Sequence, residues 1–235
     1  MRPGSHTKDT QEMLRENYET ILLGYAAGLL DMAQNMAIAA HLSLSPAARE
    51  FVRACEAVGG CLIETECAPI SMKNQSIQNI LARLYDAPSK NTAQQKQNAP
   101  RAIPIPADIN MPEDALDTVT CRPCRPPSWK KIMRGLEYYE LPLECRRSHA
   151  QFIKAKPAAK MPHHGHRGVE ITLVLDGGYS DEFGNYHRGD LIVMDSDMDH
   201  AANACREYGA VTLVVSSAPV RLNGFARLLN PFLRF

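Results

Sequence analysis

His163-His164-Gly165-His166-Arg167-Gly168-Val169-Glu170-Ile171-Thr172-Leu173-Val174-Leu175 is the stretch that decides how this chain reads. In an extended backbone, side chains two residues apart share a face. His164 and His166 therefore project together, and Glu170 keeps their parity at the start of an apolar run. His163 has the opposite parity and faces away. Val169, Ile171, Leu173 and Leu175 alternate with Glu170, Thr172 and Val174, which marks a strand. Gly177 supplies a turn after it. A second block runs from Gly189-Asp190-Leu191 to His200: a glycine turn, a strand, an acidic loop and one more histidine. Three imidazoles and a carboxylate make a borderline donor set, suited to Zn2+ and also to Mn, Fe, Co or Ni. His164, His166, Glu170 and His200 are accordingly candidate ligands for a divalent metal, with Zn2+ as first choice. Asp195, Asp197 and Asp199 add negative charge beside them. His149 and His187 sit in turn-like contexts and read as ordinary surface groups.

The same β pattern extends on both sides. Strands are predicted at 129–133, 136–141, 151–156, 169–175, 190–194 and 211–216, separated by turns such as Asp176-Gly177-Gly178 and Phe183-Gly184-Asn185. Many short strands with regular turns point to a small barrel or jelly roll over 116–235. The first part of the chain is different. Leu14, Tyr18, Ile21, Leu22 and Tyr25 recur at helical spacing, and Gly28 weakens that helix near its end. A second helix is expected from Met32 to Leu42. Ser45-Pro46 reads as a helix start, with Ser45 as N-cap. That third helix would bury Phe51, Val52, Cys55 and Val58 and end at Gly59-Gly60. A fourth is expected over 76–85. Residues 1–11 read as a tail, 12–86 as a helical domain, and the proline-punctuated stretch 87–115 as a linker. The fold class is thus α+β and multidomain: a small helical bundle, then an all-β barrel.

Composition narrows the function classes. The 235 residues carry 26 basic and 26 acidic side chains. A balanced chain offers no broad basic face for nucleic acid. The longest helical apolar run, from Ile21 to Leu30, is well short of the roughly 20 residues a membrane span needs. The polar start carries no signal-peptide core, and the seven cysteines match no secreted framework. A cytoplasmic address is expected.

The pattern H-x-H-x(3)-E-x(6)-G followed by G-x(10)-H resembles the two-part signature of cupins, in which these four residues converge on a metal inside a barrel. Asp195 and Asp197 stand where the second motif often has Pro and Gly, and Ala158 replaces a glycine often found before the first. The whole chain resembles the ChrR family of anti-sigma factors. The carrying segments are Gly24-Tyr25-Ala26-Ala27-Gly28, Ala40-His41-Leu42-Ser43-Leu44, Ala57-Val58-Gly59-Gly60 and the 164–175 motif, with coverage from about Glu12 to the C-terminus. The resemblance implies a helical domain that binds an extracytoplasmic-function sigma factor in the cytoplasm, and a cupin that senses or relays stress such as singlet oxygen. It also implies a zinc in the helical domain, held by an early histidine and an H-x(3)-C-x(2)-C block. Here Glu16, Ser45 and Ala48 occupy three of those four positions and only His41 remains. A hydroxyl and a methyl do not replace thiolates for zinc. No zinc is expected in the helical domain, with His41 a core or helix-end histidine and Ser45 an N-cap.

Several readings stay open at this level. Cys55, Cys61 and Cys67 offer a substitute site or thiol sensor. Cys121-Arg122-Pro123-Cys124 offers a half zinc site, a redox pair or a plain edge strand. Residues 1–85 hold 7 Lys/Arg against 9 Asp/Glu, a net of −2 that suits a basic partner surface. The alternative to a regulator is a metal-dependent cupin dioxygenase or isomerase, for which Tyr138, Tyr179, Tyr186 and Arg167 are candidate supporting groups. A third class is a small-molecule-binding module whose ligand touches the metal. Homodimerisation through the barrel also stays open.

Overall fold

The computed structural model describes residues 6–71, 75–85, 103–106, 109, 121–124, 129–143, 145 and 147–222. Four helices come first: α1 (His6–Ala26), α2 (Met32–Leu44), α3 (Pro46–Glu66) and α4 (Ser76–Tyr85). α1 begins at His6, so residues 6–11, read as tail, are its first turns. It stops before Gly28, whose φ of 68° is the left-handed conformation that ends helices. Asp31 caps α2 in a reciprocal capping box with Gln34. Ser45 Oγ accepts from the Ala48 N–H at 3.3 Å, the capping role expected of it. Contrary to expectation, α3 runs through Gly59-Gly60 to Glu66. Neither glycine adopts positive φ, and good helix formers follow, so nothing terminates the helix there. Val52 is buried as expected, but Phe51 and Val58 are exposed.

Thirteen strands follow among the described residues. β1 (Ile103–Pro106) and β2 (Cys121–Cys124) pair in parallel, so part of the stretch read as linker is strand. β3 (Lys130–Met133), β4 (Leu136–Glu140), β5 (His149–Ala155), β7 (Glu170–Ser180) and β12 (Ala210–Ser216) form one large antiparallel sheet with β8 (Asn185–His187), β9 (Leu191–Met194) and β11 (Asn203–Ala204). β6 (His164–His166) lies between β10 (Asp199–His200) and β13 (Val220–Leu222) in a second sheet. Hydrogen bonding among the described residues does not close a single barrel. Two sheets enclose the interior instead, as in a jelly roll.

The six predicted strands are present with shifted ends. The two-residue and three-residue strands are too short for alternation to mark them in the sequence. Contrary to expectation, Asp176-Gly177-Gly178 is no turn between strands: β7 runs unbroken to Ser180, and Gly177 (φ 65°) marks where it leaves the β12 and β9 ladders for β8 and β11.

The chain divides into two compact units, Met1–Glu56 with Ala102–Phe235, and Ala57–Arg101. In the first, α1 and α2 lie on the outer face of the large sheet. Leu22, Ala33, Met36, Ala37, Ile38 and Ala40 share one core with Phe152, Ile171, Leu173, Leu175, Leu213 and Val215. The apolar phase of β7 therefore faces the helices. Its other phase, Glu170, Thr172 and Val174, faces the interior between the sheets. This explains why β7 is buried along Glu170–Leu175 on both faces.

Candidate metal centre

The strand register brings the histidines together. β10 pairs antiparallel with β6, and His200 lies directly opposite His164. His166 follows two residues on along β6, with His164 on the same face. One nitrogen from each of His164, His166 and His200 lies within 4.8 Å of the others, and all three side chains are buried. Among the described residues this is the one such cluster of metal-ligating side chains.

Two rings are held from behind. The His164 Nδ1–H donates to the Pro162 carbonyl at 2.8 Å. His200 Nδ1 donates to Asp181 Oδ2 at 2.9 Å, and the Asp181 side chain is fully buried. A backbone carbonyl only accepts, so His164 carries its proton on Nδ1, and the carboxylate holds His200 in the same tautomer. Both Nε2 lone pairs then point inward, 3.1 Å apart. Two lone pairs at that separation repel unless a cation or proton lies between them. His166 makes the same demand, since both of its ring nitrogens are buried without a hydrogen-bond partner. A buried polar group in that state costs roughly 1–3 kcal/mol. A divalent ion satisfies all three rings, so the donor set fits the metal that the sequence implies.

The electrostatics favour the ligating form. Burial, reinforced by the proximity of His200, pushes His164 down to about 4. Burial also lowers His166, opposed by the Glu170 charge. Neutral imidazole, the form that binds metal, is thereby maintained at neutral pH. Glu170 sits beside the cluster, with Oε2 3.3 Å from His166 Nδ1. That pair is close without hydrogen-bond geometry. Glu170 Oε1 accepts from the Thr172 hydroxyl at 3.2 Å. A cavity of about 100 Å³ opens onto His164, Glu170 and His200, walled by apolar side chains such as Met133, Leu136, Ile153 and Val214.

The other sequence candidates separate cleanly. His163, His149 and His187 are exposed. Tyr179 lines the cavity and packs on Tyr186 at 4.9 Å. Arg167 is exposed, and Tyr138 lies under Lys130 on the sheet. Cys55, Cys61 and Cys67 are free thiols, the last two exposed. Cys121 and Cys124 end strand β2, and their side chains lie outside the described residues. Among the positions of the degraded zinc block, Glu16 is exposed and Ala48 is buried in the shared core. His41 is 3% exposed. Its Nδ1–H donates to the Gly189 carbonyl at 2.9 Å, which leaves Nε2 to accept from the Tyr18 hydroxyl, also at 2.9 Å. Asp181 and the Phe183 ring stacked on His200 escaped the sequence reading, because a turn of the type Asp-x-Phe-Gly carries no ligand-spacing signal.

The domain described as ChrR Cupin-like matches residues 124–220. The anti-sigma-E factor ChrR of Cereibacter sphaeroides is 32% identical over 217 residues, 92% of this chain and 96% of that protein. The crystal structure of Rhodobacter sphaeroides SigE in complex with the anti-sigma ChrR matches with a TM-score of 0.66 at 29% identity, covering 84% of this chain and 96% of that one. With both halves matched in sequence and in fold, the chain belongs to the ChrR family of anti-sigma factors.

Proposed function

We propose that this protein is a cytoplasmic anti-sigma factor that binds an extracytoplasmic-function sigma factor through its helices and reads an oxidative signal at a metal held in its cupin. No described helix is long and apolar enough to cross a membrane. The observation that carries the partner reading is on α4. Ile77, Ile80 and Leu81 fall at helical spacing and are 56%, 51% and 44% exposed. On α3, Val58, Leu62 and Ile63 are exposed too. Apolar stripes on amphipathic helices are what a partner's groove buries. The related ChrR is seen in complex with SigE, which supports a sigma factor as that partner.

For the sensor, His164, His166, Glu170 and His200 would hold one Zn2+. Zinc has no redox chemistry of its own and would act as a structural and Lewis-acidic centre. The chain's own groups keep His164 and His166 neutral, orient the His164 and His200 rings through Pro162 and Asp181, and wall the centre with apolar side chains. The cavity also gives a small signal molecule access to the centre. No residue is assigned a catalytic role.

Co-expression of the full chain with the extracytoplasmic-function sigma factors of its source tests the partner reading. One sigma factor should co-purify with the wild type. Ile80→Asp, which places a charge in the stripe without touching the core, should abolish recovery. If the wild type recovers none of them, the partner reading is wrong.

A further inference from the structure

Helix α1 is fastened to the two loops that hold His200. One loop, residues 181–184, carries Asp181, which accepts from His200 Nδ1 at 2.9 Å, and Phe183, whose ring stacks on the His200 ring at 6.5 Å and 16°. Gln11 of α1 donates its Nε2–H to the Phe183 carbonyl. The Asp181 carboxylate also ties its own loop, accepting from the Phe183 N–H at 2.8 Å and the Gly184 N–H at 3.0 Å. The other loop, 195–198, leads directly into β10 and His200. Asn17 of α1 donates to Asp195 Oδ2 at 2.9 Å. The other oxygen of Asp195 holds the Asp197 N–H at 2.9 Å. A third contact sits upstream, where Tyr18 reaches the Gly189 carbonyl through His41. Between these bonds, Met13 and Leu14 pack against the cluster of Val174, Ile192, Met194 and Met198.

We infer that α1 is the element through which the metal centre acts on the helical part of the chain, with Gln11 and Asn17 as positioning residues of that centre. The inference rests on the metal reading above. A metal ligated by His200 fixes the ring that Asp181 and Phe183 follow, and so fixes both loops in the arrangement that α1 grips. Loss of that ligation frees the loops, and α1 loses its polar anchors on both sides at once. The polar contacts that would be released are a few neutral or singly charged hydrogen bonds at a half-exposed edge, while the apolar packing of Met13, Leu14 and Leu22 stays. That is the strength expected of an element meant to let go. Coupling of this kind is reciprocal: whatever the metal does for α1 docking, α1 docking does for metal affinity.

Hydrogen exchange of the full chain tests it, after metal content has been measured. In the metal-loaded protein, amides of residues 11–21 should exchange about tenfold slower than after chelation, while β5 and β12 change little. Asn17→Ala should weaken zinc binding about five-fold in chelator competition. Asn17→Asp, which sets a carboxylate against Asp195, should weaken it further. A role in stability alone would lower the melting temperature of these variants and leave zinc affinity at the wild-type value, which would overturn the inference. So would α1 exchange that stays unchanged on chelation while residues 181–184 and 195–198 loosen. If the wild type holds no metal, the metal reading fails. The latch is then judged on His200→Ala and the milder Asp181→Asn: faster exchange in 11–21 sustains a mechanical link, and wild-type exchange in both removes it.

Discussion

At Glu170 the charge and the shape of one side chain are separable. The carboxylate lies 3.3 Å from His166 Nδ1 and takes the Thr172 hydroxyl on its other oxygen. Glu170→Gln preserves size and can keep the Thr172 bond, but it removes the charge that offsets a divalent ion. Metal affinity is expected to fall by about tenfold or more, measured by competition with a chromophoric chelator; an unchanged affinity takes Glu170 out of the ligand set. His41 makes a different argument. Burial lowers its pKa in the folded chain, whereas the unfolded chain titrates near 6.5. Protonation therefore favours unfolding. The contribution of His41 to stability is intact above about pH 6.5 and is lost as pH falls from there through the depressed folded value. His41→Gln should show a shallower loss of urea stability between pH 7.5 and 5 than the wild type, at a cost of about 1–3 kcal/mol at pH 7.5. Equal slopes would show that another group carries the pH dependence.

At the scale of elements, β7 matters most. Its first half joins β12 and β9 and its second half joins β8 and β11, with the change of partner at Gly177. A Cβ there would stand 2.3 Å from the Gly209 carbonyl oxygen, on a backbone at φ 65°. Gly177→Ala meets strain and a rigid clash together, and should cost about 2 kcal/mol or more. Gly60 in α3 is the contrast: it lies in open space without positive φ, and Ala there should stabilise by about 0.5–1 kcal/mol. Denaturant melts of the two variants should move in opposite directions. The alternation of Val169 to Leu175 made β7 legible from sequence, but the turn expected at Asp176-Gly177-Gly178 lies inside the strand, because glycine beside aspartate also suits a change of ladder within one strand. That Gly59-Gly60 would not stop α3 was not legible. Glycine ends a helix only where the backbone turns left-handed, and composition does not report that.

In the larger of the two units, α1 and α2 share a core with the cupin sheet. Leu22, Met36 and Ile38 pack with Phe152, Leu173 and Leu213, so the metal supports more than its own two sheets. At a free metal concentration one hundred times the dissociation constant, binding adds about 2.7 kcal/mol. In a chain of this size each kcal/mol corresponds to about 2–4 °C. Chelation should therefore lower the melting temperature by roughly 5–10 °C, followed by fluorescence of the single tryptophan, Trp129. No shift would mean that the site is not metal-loaded under those conditions.

The sequence by itself set which side chains share a strand face and marked them as candidate ligands. Parity along a strand is a property of the backbone, and His164, His166 and Glu170 carry it wherever they lie. The resemblance to a known family placed His200 with them. Only the tertiary structure decided which face of β7 is which. Alternation says that two faces differ, but not that the apolar one lies under α1 and α2 while the polar one lines the interior. It also decided that Asp181 stands behind His200, that His41 bridges Tyr18 to Gly189, and that Asn17 meets Asp195 across 178 residues of chain. Those pairs are joined by packing between elements distant in sequence, and no local spacing encodes them.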